Sequence, residues 1–382
     1  VTRPGAATLG AAGFLALQGA DAALPLAWLV LAIGGAVALW RDEIDLSHRP
    51  DRCETSLLVF LAVAVAASLA GLDPRRSFAL SVPVLAALPL WVLIVRTRDE
   101  PQRAGWIAAG LAVAAITQLV LVAMAVFALP DATAGDRIAH AGASWLVVPN
   151  DLAWIACLVP FALLLPRPRA SVVVAAMATL VVALAVRSVT LAGATLLTML
   201  AALWFASGRH LPSGRVVLVG FGAFAALVAA AAFVQPSMHA RLQLWQAAAR
   251  VLAEHPFGVG LHNYVLAYRG ALPVEALVDP RRTPWPHSLP LEIGAELGWA
   301  GIAALAFVVS TFFAALRLMR GNAPDGRHDR IESALAASLT GFAALAVSET
   351  SLLRMWTWFF GAALLGLIAS NARRTGETWK MQ

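Results

Sequence analysis

Charge is what this chain has least of. Asp, Glu, Lys and Arg make up 13% of its 382 residues, about half the share usual in a soluble domain, and Lys380 is its only lysine. A soluble fold of this size is thereby excluded, because so few ionised groups cannot cover a chain that is 60% hydrophobic. Tyrosine is almost absent: Tyr264 and Tyr268 stand four residues apart and nowhere else. Cysteine is limited to Cys53 and Cys157, a spacing that makes neither a redox motif nor a metal-binding pair. There is no HExxH, no Walker A loop and no GxGxxG, so the sequence offers no metal site and no nucleotide site, and no cofactor is expected. The net charge of +6 would suggest nucleic acid as a partner, but the arginines are scattered through short loops rather than gathered into a basic face. No nucleic-acid partner is expected.

What the chain has in abundance is apolar runs long enough to cross a bilayer, for which about 20 residues are needed. They fall near 6–20, 22–40, 55–70, 77–95, 104–130, 151–165, 170–186, 189–206, 216–234, 299–319, 331–348 and 355–370. The reading is an all-α polytopic membrane protein with about 12 transmembrane helices and one long, partly helical extracytoplasmic loop. The first run is continued by others and does not read as a cleaved leader. With both termini placed in the cytoplasm, most of the 28 basic residues lie in short loops on that side, as the positive-inside rule requires. Residues 1–382 form a single integral membrane domain on this reading.

Two connections are too long to be plain turns: about 131–150, and the stretch 235–298, which holds four of the eight histidines and both tyrosines. A connection of the second kind is usually functional or disordered. This one has helical periodicity at its start, glycine turns in its middle and a helical run at its end, which predicts a small folded extracytoplasmic subdomain. Arg241, Leu244, Trp245, Ala248 and Leu252 recur at helical spacing, so Arg241 and Trp245 share a face. Pro256 and Gly258 end that helix, and Gly258-Val259-Gly260 makes a tight turn before His262 and Tyr264. Two readings stand for the helix: a surface helix with a snorkelling arginine and an interfacial tryptophan, or the wall of a site.

Downstream, Pro284, Pro286 and Pro290 hold His287-Ser288 on irregular backbone just ahead of a helix with Glu292 in its first turn. A histidine there is either an interfacial residue without chemistry or a proton acceptor suited to neutral pH. Arg187 is a loop arginine or a cation facing a polar cavity. Arg269, Arg281 and Arg282 could reach an anionic ligand, or lipid headgroups in the case of the last two. Glu349 and Arg354 flank the turn between the last two spans and are expected to pair with each other. His48, His210 and His328 lie in loops among arginines and read as solvated.

Arg241-x-x-x-Trp245, Glu254-His255-Pro256-Phe257-Gly258-Val259-Gly260, His287-Ser288 and Glu296-Leu297-Gly298-Trp299-Ala300-Gly301 together resemble the O-antigen ligase / O-antigen polymerase (Wzy C-terminal domain) superfamily. The resemblance covers about 185–305 and extends to the whole chain through the number of spans and the placing of the long loop. In two places the sequence departs from the family pattern. Ser288 follows the histidine directly, where the family usually has Asn. The family's Ser-Arg-Gly-Ala stretch corresponds here to Val189-Thr190-Leu191-Ala192-Gly193-Ala194, with Ala192 at the arginine position and Arg187 as the nearest substitute.

The resemblance implies a metal-independent, inverting membrane glycosyltransferase at the outer face of a bacterial inner membrane, its site facing the periplasm. The donor would be a polyprenyl-diphosphate-linked glycan and the acceptor a lipid A-core or another lipid or saccharide hydroxyl. His287 would be the base and Arg241 the diphosphate clamp. Arg187, Arg269, Arg281, Arg282, Trp245, His262 and Tyr264 would support substrate binding, and membrane lipids would be further partners of a monomer or weak oligomer. Two alternatives remain. One is a polymerase joining lipid-linked repeats of an O-antigen or exopolysaccharide. The other, of a different class, is a membrane transporter or flippase, although the span interiors lack the charged, broken helices that transporters more often show.

Overall fold

A computed structural model describes residues 4–47, 49–97, 102–129, 131, 137, 140–143, 146, 149–186, 188–207, 236–271, 285–321 and 328–374. It is helical throughout the regular segments described. In chain order these are α1 (Ala6–Leu17), α2 (Leu24–Trp40), α3 (Arg52–Ala70), α4 (Pro74–Leu80), α5 (Val82–Val95) and α6 (Arg103–Ala128). A 3₁₀ helix (Pro149–Leu164) follows, then α7 (Pro168–Ala185), α8 (Val189–Phe205), α9 (Pro236–Glu254), α10 (Tyr264–Ala271), α11 (Leu289–Gly321), α12 (His328–Ser348) and α13 (Met355–Arg374).

The expected count of about 12 spans is corrected by the structure: among the described residues, seven helices are long and apolar enough to cross a membrane. Three further expected spans are shorter apolar helices, Ala6–Leu17, Asn150–Leu164 and Val189–Phe205. The run at 77–95 is divided at Ser81 into α4 and α5, with Pro83 near the start of α5 and Pro89 inside it. The run at 216–234 lies outside the described residues, as does most of 131–150. Counting apolar residues is blind to proline breaks and to helix type. The Pro149–Leu164 segment illustrates the second point: at about 2.0 Å of rise per residue, a 3₁₀ helix of that length extends about 30 Å, enough for the hydrocarbon core.

The bundle is held by close approach of small side chains. A Cβ on Gly10 would fall on the Cα of Gly34, so α1 and α2 meet backbone to backbone, the packing expected where lipid removes any hydrophobic drive between helices. Many leucines, valines and isoleucines face outward instead, among them Leu29, Ile33, Ile116, Val174 and Leu200; such apolar helix faces require a bilayer around them.

The helices run back and forth between two ends. At one end α2, α5 and α13 finish and α3 and α6 begin, and their ionic groups are matched. The Asp51 side chain caps α3 by accepting from Glu54 N–H at 2.9 Å. Arg373 of α13 then reaches both Asp51 (2.6 Å) and Glu54, while Arg96 of α5 reaches Glu54 at 2.6 Å. At the other end lie the starts of the 3₁₀ helix, α8 and α11, the 349–354 turn, and the segment 236–271.

That segment has an apolar core of its own, made by Leu244, Ala247, Ala248, Val251, Val259, Tyr264, Tyr268 and Ala295. Its turn is locked onto α11 where that helix kinks. Gly298 has φ 68 and ψ −163, a conformation essentially reserved for glycine, and a Cβ there would strike the Pro256 carbonyl. The unwound backbone hydrogen-bonds across the gap: Val259 N–H donates to Ala295 O (3.1 Å), Gly260 N–H to Glu296 O (2.8 Å) and Trp299 N–H to Pro256 O (3.0 Å). Leu72 N–H donates to Val259 O (2.9 Å), which ties the turn to the corner between α3 and α4.

Candidate active site

The site starts from α9. The spacing of Arg241 and Trp245 turns both toward α11 and the last turn of the bundle. Trp245 donates its indole N–H to the carbonyl of Pro286 at 2.7 Å, fixing the residue just before His287. Arg241 reaches past it to Glu349, its guanidinium 2.5 Å from Glu349 Oε2. His287 is buried and sits at φ 53, a left-handed conformation rare for a residue with a Cβ. Its Nδ1 lies 3.1 Å from Glu349 Oε1.

One carboxylate thus holds the expected arginine with one oxygen and the expected histidine with the other. Asn150, at the start of the 3₁₀ helix, donates to Glu349 Oε2 at 3.2 Å, and the Thr190 hydroxyl does so at 3.4 Å. Asn150 is itself held by Ser188, whose hydroxyl donates to it at 2.8 Å and accepts from Leu191 N–H at 3.2 Å as the cap of α8. Burial alone would raise the Glu349 pKa; the hydrogen bond with His287 and the charge of Arg241 outweigh it, and the carboxyl sits below its ordinary range. With Glu349 ionised, Nδ1 is the imidazole nitrogen that carries the proton toward it. Nε2 then carries the lone pair.

The expected Glu349–Arg354 pair is not formed. Arg354 turns instead to Asp151, Nε to Oδ1 at 3.2 Å, because the helical turn before α13 points it at the 3₁₀ helix while Glu349 is drawn to Arg241. The Arg354 guanidinium lies over the Trp285 ring at 4.3 Å, and Trp285 in turn packs on the His287 ring, centroids 4.7 Å apart. Glu292, one turn into α11, accepts from the Ser351 hydroxyl (2.9 Å) and Leu352 N–H (3.0 Å), pinning the 349–354 turn.

Two other expected residues, Tyr264 and His262, have partners of their own. The Tyr264 hydroxyl is used within the segment, donating to Leu244 O at 2.9 Å, and its ring stacks on Tyr268. His262, also at positive φ, lies by the α3–α4 corner, where Arg76 Nε donates to its carbonyl at 3.0 Å. Burial, assisted by the Arg76 charge, pushes its imidazole down to about 4, so it is neutral at neutral pH. The structure therefore puts both His262 and Tyr264 in the packing of the segment. Arg269 stands on α10, but its side chain is outside the described residues, as are Arg187, Arg281 and Arg282 altogether. Ala192, at the family's arginine position, packs against the bundle core.

Glu349 is the functional candidate that the sequence reading assigned to another role. The available signal was an isolated carboxylate at the end of a membrane helix, a costly placement that calls for a partner; the sequence could not say which partner. Among the described residues, no group of His, Cys, Asp and Glu gathers as metal ligands would.

The site is thus an arginine, a carboxylate and a histidine joined at one end of a bundle of membrane helices, beneath a separately cored segment. Residues 138–306 match the family model described as O-antigen ligase (Wzy_C), and this match assigns the segment to the O-antigen ligase superfamily. The matched range takes in α9, the glycine turn, Arg241, Asn150 and His287, and ends eight residues after the kink at Gly298. A search of curated proteins finds no match to the chain.

Proposed function

We propose that the protein transfers a glycan from a polyprenyl-diphosphate-linked donor to a hydroxyl acceptor, in the manner of an O-antigen ligase. The observation that carries this reading is the joining of Arg241 and His287 through Glu349, with ion-pair distances of 2.5 and 3.1 Å. The acceptor hydroxyl oxygen attacks the anomeric carbon and forms the new glycosidic bond. The bond from that carbon to the diphosphate oxygen breaks, and its electron pair leaves with the polyprenyl diphosphate. The hydroxyl proton passes to His287 Nε2, and a single displacement inverts the anomeric centre. Such base assistance is worth about 100- to 10,000-fold. Arg241 offsets the charge developing on the leaving diphosphate, the role that a preorganised cation fills in a partly dehydrated site. Arg187, Arg269, Arg281 and Arg282 are further candidates for the diphosphate, and Trp245 positions the backbone before His287.

The end of the bundle carrying this site faces the periplasm of a bacterial inner membrane on this reading, and the matched Arg96–Arg373 end, rich in arginine, faces the cytoplasm. The segment 235–298 is then the extracytoplasmic subdomain. The test is His287→Ala in the purified protein, assayed for transfer of glycan from its lipid-linked donor. Transfer should fall by at least about 100-fold while the thermal unfolding transition is retained; undiminished transfer would remove His287 as the base. Accumulation of lipid-linked polymer in cells lacking the protein marks a ligase, whereas a surface glycolipid bearing one repeat marks the alternative, a polymerase.

A further inference from the structure

The proposed chemistry needs Arg241 to meet the donor and His287 to meet the acceptor, yet in the structure a single carboxylate holds both. Glu349 gives Oε2 to Arg241 and Oε1 to His287. An anion that binds Arg241 therefore competes with the carboxylate for the arginine's charge. We propose that Glu349 is a positioning residue that couples the two substrates: the donor's diphosphate takes Arg241 from it, and the released carboxylate charge then acts on His287 alone. This inference rests on the transfer reaction proposed above.

Electrostatics gives the coupling its direction. While Arg241 is paired with Glu349, its positive charge cancels much of the carboxylate's field at the imidazole. When diphosphate binds Arg241, that cancellation shifts to the phosphates, and Glu349 stabilises a proton arriving on His287 more strongly. The base thus gains strength only after the donor is seated, so an acceptor hydroxyl is not activated at an empty site. The geometry is suited to this role. Glu349 is buried, so its field is poorly screened by solvent. The carboxyl, outside the spans, is held ionised below its ordinary range despite that burial. Asn150 and Thr190 also donate to Oε2, so the oxygen facing Arg241 keeps hydrogen bonds when the arginine turns to another anion.

The groups facing the pair are Arg241 from α9, His287 ahead of α11, Asn150 from the 3₁₀ helix and Thr190 from α8. Around them lie the Arg354–Asp151 pair, reached through Trp285, and Glu292, engaged by Ser351 and Leu352. Arg354 and Asp151 bring opposite charges that largely cancel at this distance. Both oxygens of Glu292 are taken by Ser351 and Leu352 in the turn that carries Glu349. Glu349 is therefore the carboxylate through which Arg241 and His287 communicate.

The experiment uses the full chain in proteoliposomes, with lipid-linked glycan extracted from cells that make the protein as donor and inorganic diphosphate as a binding probe. Glu349→Gln should lower kcat by about 100-fold or more, tighten inorganic diphosphate by releasing Arg241, and move the acid limb of the kcat–pH profile to lower pH. Glu349→Asp should restore part of kcat. A residue that merely holds the fold would weaken diphosphate together with kcat and leave the acid limb in place, and either of those results overturns the proposal. Should Glu349→Gln fail to fold, Arg241→Gln tests the same coupling from the other side: residual transfer should show its acid limb moved to higher pH, and an unmoved limb overturns the proposal. His287→Ala separates the two ideas. If it retains transfer, the reaction proposed above fails; if it loses transfer while Glu349→Gln behaves as the unsubstituted protein, only the coupling fails.

Discussion

The two ends of the bundle handle ionised groups in different ways. At one end two carboxylates, Asp51 and Glu54, meet two arginines, Arg96 and Arg373. The charges balance, and the groups tie α13 to the beginning of α3 and the end of α5. At the other end one carboxylate, Glu349, is divided between Arg241 and His287. The first arrangement is closed: nothing is gained when an anion arrives. The second shares one carboxylate between an arginine and a histidine, so a phosphate would compete with Glu349 for Arg241. On the proposed function the first ion pair holds helices and the second receives a substrate, and sequence spacing alone does not tell them apart.

Substitutions at the two ends should therefore have opposite signatures. The largest effect is expected from Arg241→Ala, which should lower turnover by about 100- to 1,000-fold, the usual result of removing one donor from a charge-stabilising site, with little change in thermal unfolding. Steady-state transfer assays beside melting curves check this, and a variant that melts early yet turns over normally per folded molecule would reverse the assignment of the two ends. Arg373→Ala should do the opposite. It leaves Asp51 and Glu54 without their shared partner and should cost about 3 kcal/mol of stability, the lower end for a broken buried pair because Arg373 is partly exposed. Transfer per folded molecule should be unchanged.

A smaller effect sharpens the contrast between the two histidines. His262 has its folded pKa depressed from 6.5 to about 4, so the unfolded chain takes up its proton first as the medium is acidified. Its contribution to stability is fully present above pH 6.5 and is lost as pH falls toward 4, roughly 2 kcal/mol by pH 5. His262→Asn keeps a residue tolerant of positive φ and removes the titration. Melting temperatures measured from pH 7 to pH 4 should fall less steeply in the variant, and parallel curves would count against a neutral, buried His262.

Much of the architecture was legible because it depends on sums and local pattern. The apolar runs predicted membrane helices, and the period of Arg241, Leu244 and Trp245 predicted α9. Proline and glycine predicted the irregular backbone at His287 and the turn at Gly258. Among the described residues the number of span-length helices was overestimated, because hydropathy is blind to the break at Ser81 and to the short lengths of the helices Ala6–Leu17 and Val189–Phe205. The resemblance implied substrate binding for His262 and Tyr264; the sequence did not show that the Tyr264 hydroxyl bonds Leu244 O or that His262 is buried by the α3–α4 corner. Arg187, the proposed substitute for the family's arginine at Ala192, lies outside the described residues.

The sequence by itself determined that this chain lives in a bilayer, where its polar segment lies, and which arginine and histidine to watch. Apolar content and periodicity are properties of neighbours along the chain, and they survive any arrangement of the helices. Only the tertiary structure decided that Glu349 joins Arg241 and His287, and that Arg354 belongs to Asp151. Those partners stand 108 and 62 residues from Glu349 along the chain. Charge pairing acts over a few ångströms, so it is settled by which helix ends the packing brings together.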